Sequence, residues 1–217
     1  GTVARTFASE CFIDEIAAGL AMDPVQYRLS LPVNDPRTHD VLKAVALKAG
    51  WTTRPSPAPL SGESTTRGRG VACSNREGTM VTAIAEIDVD KKTGKISVRR
   101  ITVAQDCGLI ANPDGVKNQI EGNVLQGISR ALFEEVQFDE SGLRSTDWGS
   151  YRTLRFEDLP EVEILLINRP ELGSLGVGEA AVIPIPAAIA NALFDATGLR
   201  LREAPLTPER VKSALPS

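Results

Sequence analysis

Residues 80–104 read MVTAIAEIDVDKKTGKISVRRITVA. Met80 to Val89 alternates and is rich in Val and Ile, the pattern of a strand. Asp90 to Gly94, D-K-K-T-G, is a turn, and Lys95 to Ala104 returns with Ile96, Val98, Ile101 and Val103. Together they predict an antiparallel hairpin with a loop of about five residues. Upstream, Gly70 to Cys73 can begin another strand. Downstream, Asp106-Cys107-Gly108 sits at the strand end, and Val162 to Ile167 supplies a later strand. Antiparallel middle strands argue against a doubly wound sheet and for an α+β fold: a mixed, largely antiparallel sheet packed with helices.

The helices read outward from this sheet. Ser9 is placed to cap a helix carrying Phe12, Ile13, Ile16, Ala17 and Leu20, with Glu10, Asp14 and Glu15 expected on its exposed side and early turns. Asp23-Pro24 and Asp35-Pro36 open two more helices, the second stopped by Gly50. His39 lies near the start of the latter, where a packing or exposed role is expected. Residues 52–66, with Pro55, Pro57 and Pro59, read as a surface connection. This change of texture divides the chain into a helical segment with its Pro-rich connection, residues 1–66, and a mixed α+β portion, residues 67–217. Asn112-Pro113 starts the most pronounced helix, with Val116, Ile120, Val124, Ile128, Ala131 and Leu132 at helical spacing. Gly122 and Gly127 each cost a helix about 1 kcal/mol relative to Ala, which suits close approach by another backbone or a ligand. Acidic residues between 134 and 163 read as a solvated face. Pro184 and Pro186 introduce an apolar helix ended by Gly198, and Thr207-Pro208 a short terminal one.

The 217 residues hold 24 Lys plus Arg against 28 Asp plus Glu, so the formal charge is -4. No basic excess points to nucleic acid, and no nucleic-acid partner is expected. Three cysteines (Cys11, Cys73, Cys107), no CxxC and one histidine make a zinc or iron–sulfur centre built from this chain's side chains improbable; no protein metal ligand is assigned. No apolar run reaches the length of a bilayer span. The unpaired cysteines lean toward a reducing compartment, with a periplasmic location left open. Residues 171–179, ELGSLGVGE, lack the order of the dinucleotide fingerprint, and no phosphate loop or nucleophile elbow is present. Glu179 ends this glycine-rich loop before Ala180, Ala181, Val182 and Ile183. Apolar neighbours of this kind can desolvate a carboxylate and suit it to general-base work, with a loop-capping or salt-bridging Glu as the plainer alternative.

Several motifs, in order, resemble one family. They are FASECFIDEIA from Phe7, DPVQYRL from Asp23, QDCGLIANPD from Gln105, QIEGNVLQGI from Gln119, GVGEA from Gly176 and PAAIANALFDATG from Pro186. The chain is similar to the molybdenum-binding subunit of the xanthine dehydrogenase and aldehyde oxidase family, and most to its isoquinoline 1-oxidoreductase beta-subunit branch. The resemblance runs from about Arg5 to Val211, and the chain looks like the C-terminal portion of a longer subunit. It implies a molybdenum–pterin cofactor, in its cytosine dinucleotide form, whose metal is held by the pterin's dithiolene. It implies Glu179 as the catalytic base, Gln119 as a hydrogen-bonding partner of the pterin, Gly122 as a point of close approach, and Gly176, Val177 and Gly178 as donors of backbone N–H groups to the cofactor. Asn112 and Gln126 are weaker members of the same region. Trp148 and Tyr151, in TDWGSYR from Thr146, depart from the family's usual stretch and either line a substrate pocket or simply pack. The expected partners are the upstream part of the subunit, an iron–sulfur subunit and a flavin or cytochrome carrier. The expected substrate is a small aldehyde or N-heterocycle, and this chain alone is expected to be inactive. The alternative is a noncatalytic scaffold or assembly subunit of the same fold.

Overall fold

The computed structural model describes residues 1–58 and 62–215; Pro59, read above as part of the Pro-rich connection, lies outside the described residues. In chain order the helices and strands are α1 (Thr2–Gly19), α2 (Pro24–Ser30), α3 (Arg37–Lys48), β1 (Thr65–Arg76), β2 (Thr79–Asp90), β3 (Ile96–Asp106), α4 (Pro113–Leu132), β4 (Phe138–Asp139), β5 (Gly142–Leu143), β6 (Glu161–Ile167), α5 (Ile185–Thr197) and α6 (Pro208–Ala214). The main sheet has the order β1-β2-β3-β6. β1, β2 and β3 pair antiparallel. β6 returns through α4 and pairs parallel to β3, with Val103 opposite Ile164. The fold is thus mixed α+β, as the hairpin implied.

The hairpin closes as its turn chemistry dictates. Asp90 Oδ1 accepts from Lys92 N at 2.8 Å, Gly94 N donates to Asp90 O at 2.7 Å, and Gly94 takes φ +76°. Met80 to Ala85 is buried without a break, because helices cover both faces of the sheet. On one face Val71, Met80, Ile84 and Ala104 pack with Val25 of α2 and Val41, Leu42 and Val45 of α3. On the other, Val81, Ala83, Ile101 and Val103 pack with Ile120, Val124 and Ile128 of α4 and Ile185, Ala188, Ile189 and Ala192 of α5. α5 lies directly on β1: a Cβ on Gly68 or Gly70 would overlap the backbone of Ala192 or Ala188. Gly127 is shaped by the same layer, since its added Cβ would stand 2.7 Å from the Ile185 side chain.

Two expectations for α1 are corrected. Ser9 is not its cap. The helix already begins at Thr2, and the Ser9 hydroxyl donates back to Thr6 O at 3.3 Å. Nor are Glu10 and Asp14 on the exposed side; both are buried. Arg28 of α2, itself buried, explains this. Its Nε donates to Glu10 Oε2 at 3.0 Å and its Nη1 to Asp14 Oδ1 at 2.5 Å, while Glu10 Oε2 also accepts Cys73 N of β1 at 2.8 Å. One guanidinium therefore joins α1, α2 and the edge of the sheet. The proline caps hold better. Asp23 Oδ1 accepts Val25 N and Gln26 N at the start of α2, and its Oδ2 takes Trp51 Nε1 at 2.9 Å.

Candidate functional site

The glycine-rich loop, residues 171–178, crosses the end of the sheet where β1 turns into β2 and where β3 stops. The QDCG segment anchors it. Asp106, fully buried, accepts Arg37 Nη2 at 2.6 Å, Arg169 Nε at 2.7 Å and Gly108 N at 3.0 Å. Burial works to raise its proton affinity, but the hydrogen bonds from Arg37 and Arg169 prevail and hold its carboxyl below the ordinary range. Gly108 turns with φ +73°, and a Cβ there would overlap Gly173 O. Cys107 O then accepts Leu175 N at 2.9 Å.

Farther along, two buried side chains grip the loop. Thr79 Oγ1, at the start of β2, donates to Gly176 O at 2.9 Å. Asn123 Nδ2, on α4, donates to Gly178 O at 2.9 Å and to Gln119 O at 2.5 Å, and Asn123 Oδ1 accepts Val182 N at 3.1 Å. Asn123 therefore ties the Glu179 loop to the helix that carries Gln119. Sequence reasoning identifies neither Asn123 nor Thr79. The available signal for Asn123 is a poor helix former one turn from Ile120 and Gly127, on the apolar side of the longest helix.

Glu179 opens onto a groove of about 710 Å³. The start of α1 forms one wall, with Thr2, Val3 and Phe7; Gln126 and Arg130 of α4 form another. Arg76, at the end of β1, places Nη2 3.1 Å from Glu179 Oε2. The groove carries Arg76, Arg130 and Arg202 against Glu179 as its lining carboxylate, so it is electropositive; Arg202 is also bound to Glu15. Ala180 to Ile183 turn inward and are buried, whereas the Glu179 side chain is 72% exposed. The desolvation expected from its apolar neighbours is absent in this chain, because those neighbours face the core and the carboxylate faces the groove.

Gln119, Gly122 and Gln126 share the exposed face of α4. Seven residues separate the two glutamines, about 10 Å along the axis and nearly the same angular position. Around Gly122 nothing lies within 4 Å of where a Cβ would stand, so this face is open. Asn112 serves as the cap of α4, its Oδ1 accepting Gly115 N at 3.0 Å. Gly176 and Gly178 are exposed and Val177 half-buried. Trp148 and Tyr151 are not brought to this groove. They lie on the segment that follows α4, edge to face with centroids 6.3 Å apart; Tyr151 OH donates to Glu134 at 2.9 Å, and Trp148 is 80% exposed. His39 lies on α3. Burial, foremost, pushes the Cys11 thiol up to about 11 and the Cys73 thiol up to about 12, and raises that of Cys107. At neutral pH all three stay protonated, a poor state for metal ligation or nucleophilic attack.

Comparisons with known proteins agree with the motifs. A molybdopterin cofactor-binding domain family matches residues 15–160. A nicotinate dehydrogenase chain of Pseudomonas putida is 42% identical over 97% of this chain and 18% of its own length. The beta chain of isoquinoline 1-oxidoreductase from Brevundimonas diminuta is 32% identical over 96% of this chain and 26% of its own. The crystal structure of the aldehyde oxidoreductase from Desulfovibrio desulfuricans superposes with TM-score 0.80 over 97% of this chain and 40% of that one; at 18% identity the likeness shows the fold. The chain spans about a fifth to a quarter of the length of these curated relatives. With the family's domain matched over well more than half of its residues, the chain belongs to the molybdopterin cofactor-binding family, among the molybdenum-binding subunits of xanthine dehydrogenase and aldehyde oxidase type.

Proposed function

We propose that this chain forms part of a molybdenum hydroxylase that oxidises an aldehyde or N-heterocycle with oxygen from water, and that Glu179 is its base. The observation that carries this is the joining of two motifs at one place: Glu179 on an electropositive groove, its GVG loop clamped by Asn123, and the same Asn123 holding the backbone of Gln119. The isoquinoline branch fits this reading, because relatives named for nicotinate and isoquinoline align over almost the whole chain; a membrane-bound aldehyde dehydrogenase of Gluconacetobacter polyoxogenes, 32% identical over 95% of it, keeps aldehydes in view.

The residues present fit a pterin-borne metal. Gln119 offers an exposed amide, donor and acceptor together, beside the open face at Gly122. The loop at Gly176, Val177 and Gly178 offers backbone N–H groups. When bound, the molybdenum–pterin group, in its cytosine dinucleotide form, supplies two-electron redox chemistry at an electrophilic carbon. Glu179 Oε2 takes up the proton released as oxygen is delivered to that carbon. Arg76 orients this carboxylate from the β1 end, and Gln126 and Arg130 line the approach. The upstream part of the subunit would be the partner that completes this groove. An iron–sulfur subunit, with a flavin or cytochrome carrier beyond it, would be the partner that accepts the electrons.

Native mass spectrometry and metal analysis of the complex purified from its own host test the assembly, and turnover in heavy-oxygen water tests the reaction. The expected results are stoichiometric molybdenum and pterin with larger partner chains, and product carrying the label. A cofactor-free 217-residue protein from a host that makes the cofactor, or product without label, would overturn the reading in favour of a noncatalytic scaffold.

A further inference from the structure

We propose that Thr79 and Asn123 are positioning residues that aim two backbone donors, the N–H groups of Val177 and Glu179, into the site. This rests on the reading above, in which the loop faces the bound cofactor and substrate. In a trans peptide the carbonyl and the following N–H point in opposite directions. Thr79 Oγ1 draws the carbonyl of Gly176 inward at 2.9 Å, and Asn123 Nδ2 draws that of Gly178 inward at 2.9 Å. The N–H groups of Val177 and Glu179 belong to those two peptides and are thereby turned outward. Neither finds a hydrogen-bond acceptor among the described residues.

The two grips are independent. Thr79 is fully buried at the start of β2, and Asn123 is buried on α4, a different element of the core. Each belongs to a regular element, so the donors are held before any ligand arrives. Asn123 adds a third bond, from Val182 N to its Oδ1 at 3.1 Å, which fixes the chain just beyond Glu179. A fixed pair of N–H groups beside a general base is the arrangement that stabilises negative charge developing on a nearby atom. The structure thus assigns the loop's chemistry to its peptide groups, and their direction to two polar side chains in the core. Glu179 needs the same clamp, because its own peptide is one of the two.

The test uses the assembled, cofactor-loaded complex. Thr79→Val removes the hydroxyl at nearly constant volume, Thr79→Ser retains it, and Asn123→Asp removes the amide donor while leaving the acceptor for Val182 N. Molybdenum content, kcat, KM, the Mo(V) paramagnetic resonance line shape and deuterium uptake over residues 175–182 are measured together. The expected result for Thr79→Val and Asn123→Asp is a fall in kcat per molybdenum of about 10²-fold, with KM little changed, an altered line shape and faster uptake in the loop. Thr79→Ser should restore all of these. Wild-type kcat per molybdenum with an unchanged line shape in Thr79→Val would overturn the inference, as would activity lost only in proportion to metal. Glu179→Gln, run alongside, separates the two levels. If it abolishes turnover while Thr79→Val does not, only the positioning inference fails. If it turns over like the wild type, the underlying reading fails.

Discussion

Replacing Arg28 by methionine should cost the protein about 3–5 kcal/mol, the usual penalty for stranding a buried ion-pair partner. The structure leads to this figure directly. Arg28 donates to the carboxylates of Glu10 and Asp14 and to the carbonyls of Glu10 and Pro24. Methionine fills similar space but leaves both buried carboxylates without their cation. Hydrogen bonds to charged groups contribute about 1.5–3 kcal/mol each, so the two ionic ones alone give a loss of the same size. For a chain of this length the midpoint should fall by about 6–20 °C. The loss should also depend on pH. Burial raises the Asp14 carboxyl, with Arg28 acting against it. A carboxyl raised in the folded state favours folding below its unfolded value, and this benefit is lost as pH rises through the folded value. Without Arg28 that effect grows, so the defect should be larger at pH 8 than at pH 5. Thermal and urea unfolding at both pH values measure it. Adding Glu10→Gln and Asp14→Asn to Arg28→Met should recover much of the loss, since the cause is charge rather than volume. A loss below about 1 kcal/mol, or one equal at both pH values, would refute the argument.

Other outcomes follow from particular contacts. Asp106→Asn should cost about 3 kcal/mol by freeing Arg37 and Arg169. Because its carboxyl is lowered from 3.8 in the fold, the stability it brings is complete above that value and lost as pH falls through the folded one; the gap between variant and wild type in urea titrations should therefore be constant near neutrality and close only in strong acid. Gly70→Ala should destabilise by about 1–3 kcal/mol or prevent folding, since its methyl meets the backbone of α5. Gly122→Ala should do the reverse, raising stability by about 1 kcal/mol, while lowering molybdenum content if the open face of α4 receives the cofactor.

The hairpin, the long helix and most helix starts are legible in the sequence because each has a local cause. Alternation at Met80 to Val89, D-K-K-T-G at the turn, and Asp23 or Asn112 before proline all act within a few residues. The parts that sequence misplaces depend on partners distant in the chain. Glu10 and Asp14 look like an exposed acidic face until Arg28 arrives from the next helix. The strand at Val162 to Ile167 is visible in sequence, but its parallel pairing with β3 is settled by how α4 returns. Asn123 carries no motif of its own, and its role exists only where the 178–182 backbone meets α4. Trp148 and Tyr151 read either as pocket-lining or as packing aromatics, and only the folded chain shows them edge to face with each other, Tyr151 bonded to Glu134, outside the lining of the groove. Glu179 stands out in its motif, but its exposure does not, because the direction of a turn side chain depends on the whole loop.

The proposed role of Glu179 is that of the base at a molybdenum site. Its most direct test is turnover per molybdenum of Glu179→Gln in the assembled complex, against an aldehyde and an N-heterocycle. Wild-type molybdenum and pterin content is expected, with a fall in kcat of about 10²- to 10⁴-fold, the contribution of a positioned general base. Turnover per molybdenum equal to that of the wild type would contradict it.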